Sequence, residues 1–299
     1  MNCKFPPRPT YTVPLPGNGT LRLGERCLVM GILNLTPDSF ADSAALHDPA
    51  AAVAAAQRME ADGVDLIDIG GESTRPGAEP VSAAEELLRV VPVLRALHGL
   101  VRVPISIDTY KAAVAHAAIE AGAAIVNDVS GLSREPKLAQ VVASSGAALI
   151  LMHSRGSSKS MYAEAEYHDL VAEVIAELGA GIATAIGAGV CRERVIVDPG
   201  VGFAKRPSHS YGVLARMAEL AAALDRPMLV GPSRKSFMRE ALDGRPPDRR
   251  DWGTAAAVTA AVLGGAHIVR VHAVPEMVQV VRVAEEIRRA GLRPDHDRS

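Results

Sequence analysis

The sequence predicts an α/β protein, a single (β/α)8 barrel with a short N-terminal arm or hairpin. Three observations predict it. Eight short apolar runs, of the kind buried on both faces of a parallel sheet, each precede a helix-forming stretch. Four of the runs (residues 63–70, 122–128, 146–153 and 265–272) share one layout: a helix-terminating glycine, a short link, then the apolar segment. The runs also end abruptly in polar or charged residues, and in a barrel those ends gather on one face. An open doubly wound sheet is the fallback. No G-x-G-x-x-G follows the first run, however, and Gly200-Val-Gly-Phe-Ala-Lys205 lacks the spacing of a Walker A loop.

Taken in order, residues 1–24 carry four prolines by Pro14 and a Gly17-Asn18-Gly19 turn, which marks an arm or hairpin outside the main domain. The barrel then occupies 25–299 without an internal boundary. Its first strand is 28–33, followed by an Ala-rich helix to about Asp62 with Asp48 as N-cap and Pro49 at the first helical position. Besides the four glycine-led strands, apolar runs lie at 103–107, 195–197 and 228–230. Helices are expected at 83–97, 112–121, 136–145, 167–188, 211–224, 252–263 and 275–290.

Composition narrows the function classes. The 299 residues are 48% hydrophobic and 22% charged with a net charge of −2, a globular balance that argues against bulk binding to nucleic acid or a membrane surface. Only 3% are aromatic, which excludes a stacked-base platform. Cys3, Cys27 and Cys191 are odd in number and widely spaced, so they form neither a metal pattern nor a disulfide framework and fit a reducing cytosol. The first 16 residues hold no signal-peptide core, and no apolar run has the length of a membrane span. The expectation is a cytoplasmic protein acting on small molecules.

The groups closing the strands are Asn34; Asp68 with Glu72-Ser-Thr-Arg-Pro76; Asp108-Thr109; Asn127-Asp128; His153; Asp198; Ser233-Arg-Lys-Ser236; and Arg270 with His272. The glycine-led repeat aligns Asp68, Asn127 and Arg270 at the same step, hence at similar depth in one cavity. Each has a bland alternative. Asp108 also reads as an N-cap, Asn127-Asp128 as turn chemistry, and Asp198 before Pro199-Gly200 as a turn signal. Arg234 and Lys235 read either as a solvated helix start or, because cations there oppose the helix dipole, as ligands for an anion. His272 gains weight from Arg270 on the same alternating face, while Asp68 reads as structural. Carboxylates and an amide deep inside, with Arg75, Lys235, Arg270 and His272 towards the rim, suit a heterocycle with an amino-amide edge. A cationic rim beside Asn34 suits a pyrophosphate and a hard cation such as Mg²⁺.

At these residues the chain resembles the dihydropteroate synthases of bacterial folate synthesis. The matching stretches are Asn34-Leu-Thr-Pro-Asp-Ser-Phe40, Gly71-Glu-Ser-Thr-Arg-Pro-Gly77, Ser106-Ile-Asp-Thr109, Asn127-Asp-Val129, Asp198-Pro-Gly-Val-Gly-Phe203, Ser233-Arg-Lys-Ser-Phe237 and Arg270-Val-His272, in family order. The resemblance implies a homodimeric barrel that joins 6-hydroxymethyl-7,8-dihydropterin diphosphate to 4-aminobenzoate. Asp108, Asn127, Asp198 and Lys235 would grip the pterin. Asn34 would hold Mg²⁺ against the diphosphate, with Thr74, Arg270 and His272 also on the phosphates. Asp42, Thr74, Arg75, Pro76, Phe203 and Ser236 would shape the 4-aminobenzoate site. The implied catalytic set is Asn34, Asp108, Lys235, Arg270 and His272.

The chain departs from the family at Ala41-Asp-Ser-Ala-Ala45, where glycines usually continue the first motif, and at Ser154, Ala204 and Pro232. A stiffer first loop is then expected to alter discrimination between 4-aminobenzoate and sulfonamides. A pterin-binding methyltransferase is the nearest alternative, but it has no need of Arg75, Ser236 or the Arg270/His272 pair. A catalytically silent pterin-binding paralogue is a second, against which the retained Asn34, Asp108, Lys235, Arg270 and His272 argue.

Overall fold

Eight parallel strands lie side by side in chain order around one sheet, and a parallel bridge from Val197 to Met228 joins its two ends. The sheet therefore closes into a barrel. The computed structural model describes residues 5–36, 49–75 and 77–292. Within them β1 (Tyr11–Pro14) and β2 (Thr20–Leu23) form an antiparallel hairpin. The barrel strands are β3 (Leu28–Asn34), β4 (Leu66–Gly70), β5 (Ile105–Asp108), β6 (Ile125–Asp128), β7 (Ala148–Met152), β8 (Val195–Asp198), β9 (Leu229–Val230) and β10 (Ile268–Val271). The helices between and after them are α1 (Pro49–Ala61), α2 (Ala83–Leu97), α3 (Ala112–Glu120), α4 (Lys137–Ser145), α5 (Leu170–Gly187), α6 (Pro207–Ala215), α7 (Met217–Leu224), α8 (Asp251–Leu263) and α9 (Val274–Leu292).

Two helices differ from expectation for local reasons. The stretch expected as one helix over 211–224 is two, because Arg216 leaves helical geometry at φ −113°, ψ 24°. The first of them starts earlier, at Pro207, whose fixed φ suits a first helical position. The helix expected from 167 starts at Leu170, where the Asp169 carboxylate caps it by accepting from the Ala172 amide at 3.2 Å. Asp48, the expected cap of α1, lies outside the described residues.

Strand alternation sorts the side chains into two cores. Outward residues such as Ile67, Ile69, Ile107, Val126, Leu149, Val197 and Val269 pack against the helices. Inward residues Leu28, Met30, Leu66, Ile125, Ala148, Ile150, Ile196, Leu229 and Ile268 fill the barrel and form one cluster with Val13, Leu15, Leu21 and Leu23 of the hairpin. The hairpin thus plugs the N-terminal mouth. It is tied to α9 by Arg8, whose guanidinium donates to Glu285 at 2.7 Å, and by Arg288, which bonds the Pro6 carbonyl. Helix α5 has the length and hydropathy of a membrane span, contrary to expectation, yet Val171, Val174, Leu178, Ile182 and Ala185 are buried. It serves as an outer helix of the barrel.

Candidate active site

Above that apolar filling the inward positions turn polar in register. Pairing of β3, β4, β5 and β6 lines up Asn34, Gly70, Asp108 and Asn127 on one level, with Asp68 and Ser106 one step below. Arg270 reaches in from β10 and donates from Nε to the Asp68 carboxylate at 2.6 Å and from a terminal nitrogen to Asp108 at 2.8 Å. The Asn127 amide donates to the same Asp68 oxygen at 3.0 Å. The aligned trio of Asp68, Asn127 and Arg270 therefore meets at one atom, and Asp68 is the structural hub.

Arg270 itself needs a correction. Expected towards the rim with the other cations, it lies across the floor, because its long side chain finds two buried carboxylates there. Burial pushes the Asp108 carboxyl up to about 7, against the pull of Arg270 and with a further push from Asp68. Asp68 Oδ1 and Ser106 Oγ are buried without a hydrogen-bond partner, which is costly in an enclosed site and is what a donor-rich ligand would relieve. Room for one exists because two inward positions lack side chains. A Cβ on Gly70 would sit 3.5 Å from Asn34 Oδ1 and 3.6 Å from the Asp108 Cβ, and one on Gly231 would sit 3.7 Å from the Arg270 Cβ.

The opposite wall comes from the loops after β8 and β9. The Lys235 ammonium donates to the Val201 carbonyl and lies 4.4 Å from the centre of the Phe203 ring. Burial lowers it to about 8, opposed by the nearby Asp198 carboxylate. Asp198 is pushed up by burial and pulled down chiefly by Lys235, and its Oδ1 accepts from the Gly200 amide at 2.7 Å. The β8 loop turns tightly to do this. Gly200 stands at φ +68°, where a Cβ would approach the His153 carbonyl oxygen to 1.9 Å. Gly200→Ala is expected to lower stability by about 1–3 kcal/mol, read by urea denaturation.

His272 pairs with Ser233, the hydroxyl lying 2.9 Å from Nδ1 and accepting the His272 amide at 3.1 Å. Burial, with Arg270 and Arg234 nearby, holds its imidazole down at about 3. The ring is therefore neutral in the folded site at physiological pH. The neighbouring basic pair is resolved differently from the expected anion ligands. Arg234 forks onto Asp251 with two bonds of 2.7 Å and anchors the loop to α8. Asp128 is turn chemistry, accepting from Ser130 and Leu132.

Thr74, Arg75 and Ser236 sit on loops at the mouth, with Arg75 exposed and close enough to bear on His272. Their loop is pinned by Glu72, which accepts from Tyr110 at 3.0 Å and pairs with Lys111. The long segment between β7 and α5 bridges the rim. Its Ser158 bonds the loop at Gly77 and Ala78, and the Tyr162 and Ser236 hydroxyls share a hydrogen bond of 2.7 Å. Asp42 and Pro76 lie outside the described residues. Sequence reasoning did not pick out Ser106, Tyr162 or Lys205. Lys205 closes a glycine-rich turn directly after a strand end, and that position was the available signal.

Among the described residues no group of three or more His, Cys, Asp or Glu side chains is arranged to hold a metal. Asn34 Oδ1 faces the space beside Gly70, a single hard oxygen donor. That fits a cation whose remaining ligands come from a substrate and water, the usual habit of Mg²⁺.

Residues 30–272 match the family model described as pterin binding enzyme. A dihydropteroate synthase of Synechocystis is 46% identical over 95% of this chain and 96% of its own length. Among solved structures, the dihydropteroate synthase of Xanthomonas albilineans with 4-aminobenzoic acid superposes at a TM-score of 0.84, 40% identical over 92% of this chain and 98% of its own. That of Burkholderia cenocepacia complexed with 7,8-dihydropteroate superposes at 0.83, 41% identical over 96% and 99%. With a barrel of the expected topology and likeness running nearly end to end, the chain belongs to the pterin-binding enzyme family as a dihydropteroate synthase, a transferase of folate synthesis.

Proposed function

We propose that the pocket between Arg270 and Lys235 joins 6-hydroxymethyl-7,8-dihydropterin diphosphate to 4-aminobenzoate by dissociative loss of pyrophosphate. The observation that carries this is the floor: Asp108, Asn127 and Asp198 beside Arg270 and Lys235, under an opening left by Gly70 and Gly231. Asp108, Asn127 and Asp198 match the donor–acceptor edge of the pterin, and ionised Asp108 offsets the positive charge that develops as the diphosphate leaves. Lys235 orients the ring from the Phe203 side. Arg270, His272 and Thr74 donate to the departing phosphates. Asn34 would hold Mg²⁺ against the diphosphate, where the ion would supply charge neutralisation on the leaving group. Arg75, Phe203 and Ser236, with Asp42 and Pro76, serve the amine site: the C–O bond to the diphosphate breaks with its electron pair going to pyrophosphate, and the arylamine nitrogen then bonds the exocyclic carbon and releases its proton to solvent.

The 4-aminobenzoic acid in the Xanthomonas structure and the 7,8-dihydropteroate in the Burkholderia structure support this choice of substrates. The chain works as a cytoplasmic homodimer. Trp252 on α8 is 88% exposed, and Val283 and Ile287, one turn apart on the adjacent α9, are 62% and 47% exposed. That apolar face supports self-association.

The test is pyrophosphate release from the pterin diphosphate with Mg²⁺, with and without 4-aminobenzoate, alongside Lys235→Ala. Release coupled to dihydropteroate, and reduced about a hundredfold or more in the variant, is the expected result. Binding of the pterin with no turnover in either condition would overturn it in favour of a silent pterin binder.

A further inference from the structure

We infer that Lys205 is a positioning residue that holds the β8 loop from the outer side of the barrel wall and, through its charge, keeps Asp198 ionised for the pterin; the assignment rests on the pterin reading above. Lys205 is 1% exposed, the largest side chain buried so completely. Its Nζ lies 2.8 Å from His153 Nδ1 and donates to the Phe203 carbonyl at 3.2 Å. His153 follows inward-facing Met152 and so points outwards, where its Nε2 lies 3.0 Å from the Glu177 carboxylate of α5. The lysine can only donate, so Nδ1 accepts and Nε2 carries the proton towards Glu177. A neutral imidazole bracketed this way agrees with burial holding His153 down at about 4.

Charged groups from four neighbouring segments act on this lysine. Asp198 on β8 and Glu177 on α5 favour its charged form, whereas Lys235 from the β9 loop and Arg155 from the β7 loop oppose it. The Tyr167 ring centre lies 6.0 Å away, and His209 of α6 feels its charge. Burial outweighs the rest and brings Lys205 down to about 7. The charges of Lys235 and Lys205 both act on Asp198 and lower its carboxyl, against the push of burial.

The two roles of Lys205 separate with pH. A neutral amine keeps two N–H donors, enough for His153 and the Phe203 carbonyl. Deprotonation therefore leaves the loop held and removes only the charge. Below about 7 the ammonium assists Asp198 in staying ionised; by pH 9 it no longer contributes. A role confined to packing would weaken binding equally at every pH.

The experiment is a fluorescence titration of 6-hydroxymethylpterin against the full chain from pH 5.5 to 9, for wild type, Lys205→Met and Glu177→Gln, with melting curves for each. Lys205→Met is expected to weaken binding about tenfold at pH 6 and by a smaller factor at pH 9, where only the lost hold on the loop remains. Glu177→Gln keeps an acceptor for His153 at a half-exposed site and safeguards against misfolding of the lysine variant. It is expected to weaken binding about threefold at pH 7 with no effect at pH 9. A ratio to wild type that stays flat with pH in both variants overturns the assignment. Absence of pterin binding by the wild type overturns the pterin reading itself, a failure visible without any variant.

Discussion

An Arg270→Met variant will unfold about 3–5 kcal/mol more easily than the wild type and will lose about a thousandfold in kcat/KM for the pterin diphosphate. The guanidinium bonds two carboxylates at once, and among the described residues no other cation bonds either of them. Asp68 is fully buried and Asp108 7% exposed, so neither can turn to water when the arginine goes. Methionine fills much of the volume but leaves two like charges facing each other in a closed site. Protonation of one carboxyl relieves part of that repulsion, which then weakens the grip on the substrate. Adding Asp68→Asn to Arg270→Met removes one of the stranded charges and should recover stability without recovering activity. Urea denaturation and steady-state kinetics on both variants check this. If the single variant unfolds at the wild-type denaturant midpoint, the floor is not held by this ion pair.

That contrast also marks how far the sequence could be read. Eight apolar runs, each followed by a helix-forming stretch and closed by polar residues, were legible, and with them the barrel and the strand ends bearing Asn34, Asp68, Asp108, Asn127, Asp198 and Arg270. The common step after each glycine even placed Asp68, Asn127 and Arg270 at one depth. Partners across the barrel were not legible, because strand spacing says which face a residue takes and not where a long side chain ends. Arg270 was expected near the rim for that reason and lies across the floor. Arg234 was weighed as an anion ligand, but its partner Asp251 is 17 residues on, at the start of the next helix. Lys205 was hidden most completely. Its burial depends on His153 and Glu177, which stand on a strand end and an outer helix that only the closed barrel brings together.

Asp108→Asn is expected to remove the acid limb of the pH–activity profile together with nearly all of the activity, about a thousandfold in kcat/KM at pH 8. An aspartate titrates near ~4 in an unfolded chain, whereas Asp108 in the folded site is raised to about 7. Folding therefore favours the protonated carboxyl: the stability it contributes is fully present below the unfolded value and is lost as pH rises through about 7. Activity must run the other way, since the carboxylate and not the acid offsets positive charge on the pterin. The contribution of Asp108 to wild-type stability should consequently be larger at pH 5 than at pH 8, whereas activity should be higher at pH 8 than at pH 5. The wild-type kcat/KM should fall on the acid side with an apparent midpoint near 7. Asparagine keeps the shape and an acceptor for Arg270 but has no proton to lose, so the variant's residual rate should be flat across that range and its stability should fall less between pH 5 and 8. Melting curves and kcat/KM measured over the same buffers separate the two effects. An acid limb that persists unchanged in the variant would transfer the titration to Asp198, the other buried carboxyl that Lys235 and Arg270 pull down.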